Sequence, residues 1–410
     1  MDAIRETCAG LDVHQASVVA CILTGALDKK PTSVIKTFGT TTKELLQLQD
    51  WLSEYQCVEL AMESTGVLWK PVWNILESTC KITLANPQRI KNVPGRKTDV
   101  KDAQWIAQLH RCGLIEPSMV PNREIRDLRD LTRYRRKLVQ QTTSEKNRVH
   151  KILQDCNIKL TTYISDLFGV SGRALLEKLI NGETLDEQTI RQTVKTRLKQ
   201  KVPQLVDALN GKLLKHHREM INYHFEHIQF LEKQIGRLEQ EIERMLQPYQ
   251  EELNLIKTIP GFSVDSTSAL LAEISPQAAE MFPSDAQMAS WLGVCPGNNE
   301  SAGVKKSARS KKGNKNAKAV LCQVVWANSR SQNRIGIYFR KIRKRRGEKK
   351  AVVATAHLLI RIVYAILRDR KPYSEQGEYH EQYTKEKAVN HFVKQLKNMG
   401  YEIELKEIAS

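Results

Sequence analysis

Five short apolar runs crowd the first 85 residues, at 8–13, 17–23, 33–38, 58–62 and 82–85. Each has strand length and a β-branched character that suits a pleated, half-buried surface. Helical segments punctuate them. Thr41-Thr-Lys-Glu-Leu-Leu46 opens like a capped helix that runs to about Tyr55, and further helices are expected over 67–79 and 98–112. Two strands joined by a short turn, a third strand, then helix–strand–helix–strand–helix restrict residues 1–115 to one layered α/β arrangement.

That order is the order of an RNase H-like domain, in which acids on the first strand, a later strand and a late helix converge on one edge of the sheet. Four carboxylates occupy such places. Asp12 follows the apolar stretch Cys8-Ala-Gly-Leu11, and Glu63 ends Val58-Glu-Leu-Ala-Met62 just before Ser64-Thr-Gly66. Asp99 and Asp102 open the helix-like Thr98–Ala107, three residues apart and therefore on one helical face. Oxygen ligands from strand ends and a helix start are what a pair of hard divalent cations such as Mg²⁺ requires. The competing account is that these are ordinary surface acids capping elements, Asp99 serving the helix N-terminus.

Charge points to the polymer such a site would act on. The chain carries 64 Lys and Arg against 46 Asp and Glu, a net +18 over 410 residues. Between Ser301 and Lys350 there are 17 Lys or Arg and one acid, Glu348, so this stretch alone holds +16. Such a block reads as a polyanion-binding surface, here nucleic acid, because apolar residues and helical patterns interleave with the charges. Eight cysteines, at 8, 21, 57, 80, 112, 156, 295 and 322, form no Cys-x-x-Cys pair and have no His at zinc-finger spacing. They read as reduced thiols of a cytosolic protein. Met1-Asp-Ala-Ile-Arg-Glu6 lacks the features of a secretory leader, and no run reaches 18 consecutive apolar residues, so neither export nor a membrane span is expected.

Past the α/β domain, 122–157 is a long helical stretch in which Arg123, Arg126, Arg129, Arg133 and Arg136 recur every three or four residues. That stripe suits phosphates, or pairs within the helix with Glu124, Asp127 and Asp130. Residues 158–210 read as an irregular or short-helical insert broken at Gly172, Asn181-Gly182 and Pro203. From 213 to 246, Ile228, Leu231, Ile235, Leu238, Ile242 and Met245 alternate spacings of three and four as a coiled-coil seam does. The seam can close on the 122–157 helix or on another subunit. Leu255-Ile-Lys-Thr-Ile-Pro-Gly-Phe-Ser-Val264 then leads into a helix over 265–274, half of a helix–hairpin–helix or a plain core turn.

The last feature is the polar loop Gly293–Lys306, where Ser301 is flanked by small residues that allow a phosphodiester backbone to approach. A serine there can attack phosphorus and hold a phosphoseryl link. No base stands beside it, Ser307 and Ser310 compete with it, and spacing alone favours an ordinary turn serine. Phosphate contacts are expected from Lys305, Lys306, Arg309, Lys311, Lys312 and Lys315, and from Arg343, Arg345 and Arg346. Arg126, Arg133 and Arg136, and Arg96 and Lys97 ahead of Asp99, are expected to join them. His357, on an apolar helix face, reads as a core histidine.

Together Gly10-Leu-Asp-Val-His14, Met62-Glu-Ser-Thr-Gly66 with Trp69-Lys-Pro-Val-Trp73, Pro94-Gly-Arg-Lys-Thr-Asp-Val-Lys-Asp-Ala103 and Gly297-Asn-Asn-Glu-Ser-Ala-Gly303 resemble the DEDD transposases of a bacterial insertion-sequence family. The resemblance covers about 6–115 and 253–373. It implies a RuvC-like domain at 1–120 and a helical coiled-coil dimerisation region at 121–250. A mainly α serine transposase domain at 251–373 and a charged helical tail at 374–410 complete the chain. It implies that Asp12, Glu63, Asp99 and Asp102 bind Mg²⁺, two ions per site, and that Ser301 is the covalent nucleophile. It further implies a cytoplasmic, nucleoid-associated dimer or tetramer guided by an element-encoded bridge RNA that pairs with donor and target DNA. The Pro260-Gly-Phe-Ser263 turn lacks a second glycine often found there. A junction-resolving or RNase H-type nuclease using the four acids alone, and a nucleic-acid packaging protein, are the competing readings.

Overall fold

A computed structural model describes residues 2–87, 90, 102–297, 299–301, 304–307, 310, 312–375, 389–390 and 392–405. The chain divides into two compact units, Met1–Pro121 and Asn122–Ser410.

The first unit is built on strands β1 (Thr7–Val13), β2 (Ser17–Thr24), β3 (Thr32–Gly39), β4 (Glu59–Glu63) and β5 (Lys81–Ala85), in the order β3-β2-β1-β4-β5. Connections at 14–16 and 25–31 make β1–β2–β3 an antiparallel meander, whereas β4 joins β1, and β5 joins β4, in parallel. Parallel neighbours need crossover connections. Helices α1 (Thr42–Glu54) and α2 (Trp69–Leu76) supply them. Helix α1 starts where Thr41 Oγ1 accepts from the Glu44 amide, while that hydroxyl donates to the Glu44 carboxylate at 2.6 Å.

Strand alternation sorts the two faces of the sheet. Ala9, Leu11, Val13, Leu60 and Met62 pack with Leu45, Leu48 and Leu52 of α1 and Val72 and Leu76 of α2. Cys8, Cys21 and Leu23 turn the other way, onto Ala103 and Ala107 of helix α3 (Asp102–Arg111). Ala61 and Ala85 face Ile106 and Leu109 of the same helix. The result is the RNase H-like, RuvC-like layering, with α3 covering one face.

In the second unit, α4 (Arg123–Asp155) pairs with α8 (Lys215–Leu246) along their length. At 33 residues α4 is about 50 Å long. Arg135 reaches Glu239 near one end and Glu145 reaches His224 nearer the other, so the two helices run antiparallel. The seam of α8 thus closes on its own chain, burying Ile228, Leu231 and Ile242. The segment expected to be irregular or short-helical is a set of short helices, among them α5 (Val170–Asn181), α6 (Glu187–Thr193) and α7 (Val202–Leu209). Leu175, Leu176, Val202 and Leu205 share a core with Val149, Leu153, Ile221 and Phe225 of the long pair. Gly182, at φ 74°, ends α5 in the left-handed conformation glycine favours.

The remainder runs through α9 (Gln250–Lys257), α10 (Val264–Ile274), α11 (Asp285–Trp291), a hairpin of β6 (Asn299–Ser301) and β7 (Val304–Ser307), then α12 (Lys315–Asn328), α13 (Arg334–Arg346) and α14 (Glu348–Asp369). By length and composition α14 is the one helix among the described residues apolar enough to cross a membrane, with a mean hydropathy of 1.7 over its best window. Its apolar face is spent on packing. Ala356, Leu359, Ile360 and Val363 are fully buried, and the helix lies on α11, α12 and α13.

Candidate functional site

Gly10 sets how closely α3 can approach the sheet. A Cβ on Gly10 would fall 2.3 Å from the Ala103 carbonyl oxygen and 2.3 Å from the Ala107 nitrogen. The obstacle is helix backbone, which has no rotamer with which to yield, so the first turn of α3 seats on β1 only because residue 10 is glycine. Asp102 opens that turn, where the helix dipole favours a carboxylate.

Asp12 lies two residues beyond Gly10 and so on the same face. The parallel register pairs Leu11 with Met62, which makes Asp12 and Glu63 the next step on adjacent strands. Neighbouring strands lie about 4.8 Å apart. Glu63 follows Ala61 by two and shares its face, the one covered by α3. Past Glu63 the chain turns away, with the Thr65 amide bonded back to the Glu63 carbonyl and Gly66 at φ 56°. Two strand ends and a helix start thus bring Asp12, Glu63 and Asp102 to one edge of one sheet. Asp99 lies outside the described residues.

Hard carboxylate oxygens on three elements are a donor set that fits a divalent cation. Among the described residues no three such side chains already close on a common point. Asp12 is also held by a residue that sequence reasoning passed over. His14 Nε2 stands 3.1 Å from Asp12 Oδ2, and its side chain remains 59% exposed. At the other end of the sheet, burial pushes the Cys8 and Cys57 thiols up to about 12, where they stay protonated.

The basic residues divide. Arg133, expected on phosphate, instead places Nε and Nη2 at 2.7 and 2.8 Å from the two carboxylate oxygens of Glu273, which is 2% exposed. Arg129 caps the end of α10 through the Ala272 and Glu273 carbonyls, and Arg135 pairs with Glu239 and Asp265. Two residues of the arginine stripe, Arg129 and Arg133, therefore have tertiary partners. An unpaired carboxylate as buried as Glu273 costs several kcal/mol, which draws two guanidiniums onto it. Burial holds Arg129 below the usual arginine range, whereas hydrogen bonding to Glu273 holds Arg133 above it. Arg136 lines a 920 Å³ cleft between α4, α8, α10 and α12 that also takes in Lys257, Asn316 and Gln323.

Lys312 and Lys315 are exposed, as are Arg343, Arg345 and Arg346 at the end of α13. Arg343 also lies over the Phe339 ring at 5.8 Å. Ser301 ends β6 and pairs with Val304, which puts it at the tip of the hairpin; Lys305 and Lys306 lie in β7. Only the backbone of these three is described. Arg96, Lys97, Arg309 and Lys311 fall outside the described residues. The Pro260–Ser263 turn is held from inside, since Asn328 Nδ2 donates to the Pro260 carbonyl at 2.7 Å and Gly261 adopts φ 88° against it.

An RNase H-like sheet with acids gathered at one edge, on a chain with a strongly basic helical unit, defines a protein that processes nucleic acid. Residues 9–158 match the family model DEDD_Tnp_IS110, described as a transposase, and residues 253–340 match that of the transposase IS116/IS110/IS902 family. The chain belongs to this family of transposases, its two matches together spanning more than half its length. No curated protein matches it. Among solved structures it is similar to T. thermophilus RuvC in complex with Holliday junction substrate, at 14% identity and a TM-score of 0.21. That match covers 28% of this chain and 100% of that one. The class of the first unit rests on its strand order rather than on this likeness. Membership makes the chain a DNA-recombining enzyme of a divalent-metal-dependent type, with DNA as its partner.

Proposed function

We propose that this chain is an RNA-guided, site-specific recombinase that excises and inserts a mobile element by strand cleavage and exchange. The observation that carries the reading is the meeting of Asp12, Glu63 and Asp102 at one sheet edge, with Ser301 at the tip of a hairpin in the second unit. Asp12, Glu63 and Asp102, with Asp99, would hold Mg²⁺, two ions per site. When bound, the metal neutralises charge on the scissile phosphate.

The residues then divide the work. In the serine step the Ser301 Oγ–phosphorus bond forms as the phosphorus–sugar-oxygen bond breaks; the serine proton goes to a base and the departing oxygen takes one up. The phosphoseryl link keeps the bond energy for rejoining, so exchange needs no added energy source. Lys312, Lys315, Arg343, Arg345 and Arg346 hold backbones, and bridge RNA paired with donor and target DNA reads the sequence. In this reading the acids of one subunit act with the serine of another, in a dimer of dimers. The four-part division at 120, 250 and 373 follows the same logic: metal domain, dimerisation helices, serine domain and tail.

The test is to purify the full chain expressed from within its native element and sequence the RNA that comes with it. One discrete RNA, encoded beside the gene and complementary to both element ends and target, is expected. Recovery of no discrete RNA would overturn the guided mechanism.

A further inference from the structure

The segment that carries Ser301 leaves the helical core after Trp291 and returns at Lys315. Its two ends meet in a narrow neck. The Asn314 amide donates to the Trp291 carbonyl at 3.3 Å. Gly313 lies so close to the entry strand that a Cβ there would stand 2.4 Å from the Gly293 nitrogen and 2.5 Å from the Trp291 oxygen.

Lys318, one turn into α12, spans the neck. Its ammonium donates to the Gly293 carbonyl at 3.0 Å on the entering side and to Ser310 Oγ at 3.2 Å on the returning side. The exit is also tied to the core, because Asn314 Nδ2 donates to Glu273 Oε2 at 2.7 Å while Asn314 Oδ1 caps α12. Arg129 and Arg133 of α4 grip the same glutamate. A path of charge-assisted hydrogen bonds therefore runs from the long arginine helix, through Glu273 and Asn314, to the neck that Lys318 closes. None of these residues belongs to the acid cluster.

We propose that Lys318 is a positioning residue for the serine step: by holding both ends of the loop it fixes where the Ser301 hairpin points. The assignment rests on Ser301 being the nucleophile. A flexible four-carbon stem with three rotatable donors suits a clamp on two oxygens facing different ways. Small displacements of a nucleophile are costly in rate and cheap in affinity.

The experiment uses the full chain with its co-purified RNA, Mg²⁺ and a labelled DNA duplex carrying the joined ends of the excised element, and follows covalent protein–DNA adduct against DNA concentration. Lys318→Met should lower the maximal adduct rate by about 10- to 100-fold, with the half-saturating DNA concentration changed less than about twofold. Lys318→Arg should recover most of the rate. Ser310→Ala, which keeps the charge and the Gly293 contact, should cost roughly 3- to 10-fold and serves if Lys318→Met does not fold. A wild-type maximal rate in Lys318→Met, or in Ser310→Ala when that variant stands in, overturns the proposal. So does a Lys318→Met loss confined to half-saturation, which would make Lys318 a phosphate contact. Ser301→Ala runs alongside: adduct surviving there sinks the serine reading itself, whereas adduct lost there and intact in Lys318→Met sinks the clamp alone.

Discussion

Asp12 and Glu63 differ from the acids around them in one respect: each ends a run of buried strand residues, next to the other in register. Asp12→Asn keeps the shape and removes the charge. It should reduce metal-dependent strand cleavage at least about 100-fold while DNA affinity, measured by fluorescence anisotropy, stays within about threefold. Equal loss of binding and cleavage would make Asp12 a structural residue. His110, 3% exposed, sits in the helix that Asp102 opens; its Nε2 has no hydrogen-bond partner among the described residues. Burial first, and the Arg5 charge second, lower it from 6.5 to about 4. The folded chain thus refuses a proton that the unfolded chain accepts, so stability is complete above pH 6.5 and falls as pH drops toward 4. The loss amounts to about 3 kcal/mol. Denaturant titrations of the wild type and His110→Leu across that window should show the variant's slope flatter. Parallel slopes would count against the burial account.

At the level of elements, the Gly10 seat under α3 is the point where a single methyl should disturb both fold and site. Gly10→Ala should destabilise the first unit by about 1–3 kcal/mol and lower cleavage more than DNA binding, because the displaced element is the helix that opens with Asp102. Melting and cleavage unchanged from wild type would show that α3 can lift without cost. The sheet was legible in the sequence because its strands are short apolar runs bounded by polar segments; the runs at 17–23 and 33–38 became Ser17–Thr24 and Thr32–Gly39. Residues 158–210 were less legible. Helices of two or three turns, one ended at Gly182 and another begun with Pro203 in its first turn, show too little periodicity to reveal the core they share with α4 and α8. The arginine stripe misled in part, since its periodicity is the same whether the face meets phosphate or a buried acid. Glu273 stands 140 positions from Arg133, and a pairing that distant leaves no local trace. The Lys318–Gly293 and Asn314–Glu273 contacts were hidden for the same reason.

Across the molecule, the sequence divides the chemistry between an acidic sheet edge and a basic helical unit that carries a serine at a hairpin tip. The acids alone describe a nuclease. What separates recombination from hydrolysis is whether the cut strand stays bonded to protein. The most direct measurement is denaturing electrophoresis of end-labelled element DNA after reaction with the full chain, its co-purified RNA and Mg²⁺. A labelled band at the protein's mass should form with the wild type, be lost in Ser301→Ala, and map to Ser301 by peptide mass spectrometry. Free cleaved strands without any adduct, made equally well by the wild type and Ser301→Ala, would contradict the account and leave a metal-dependent nuclease.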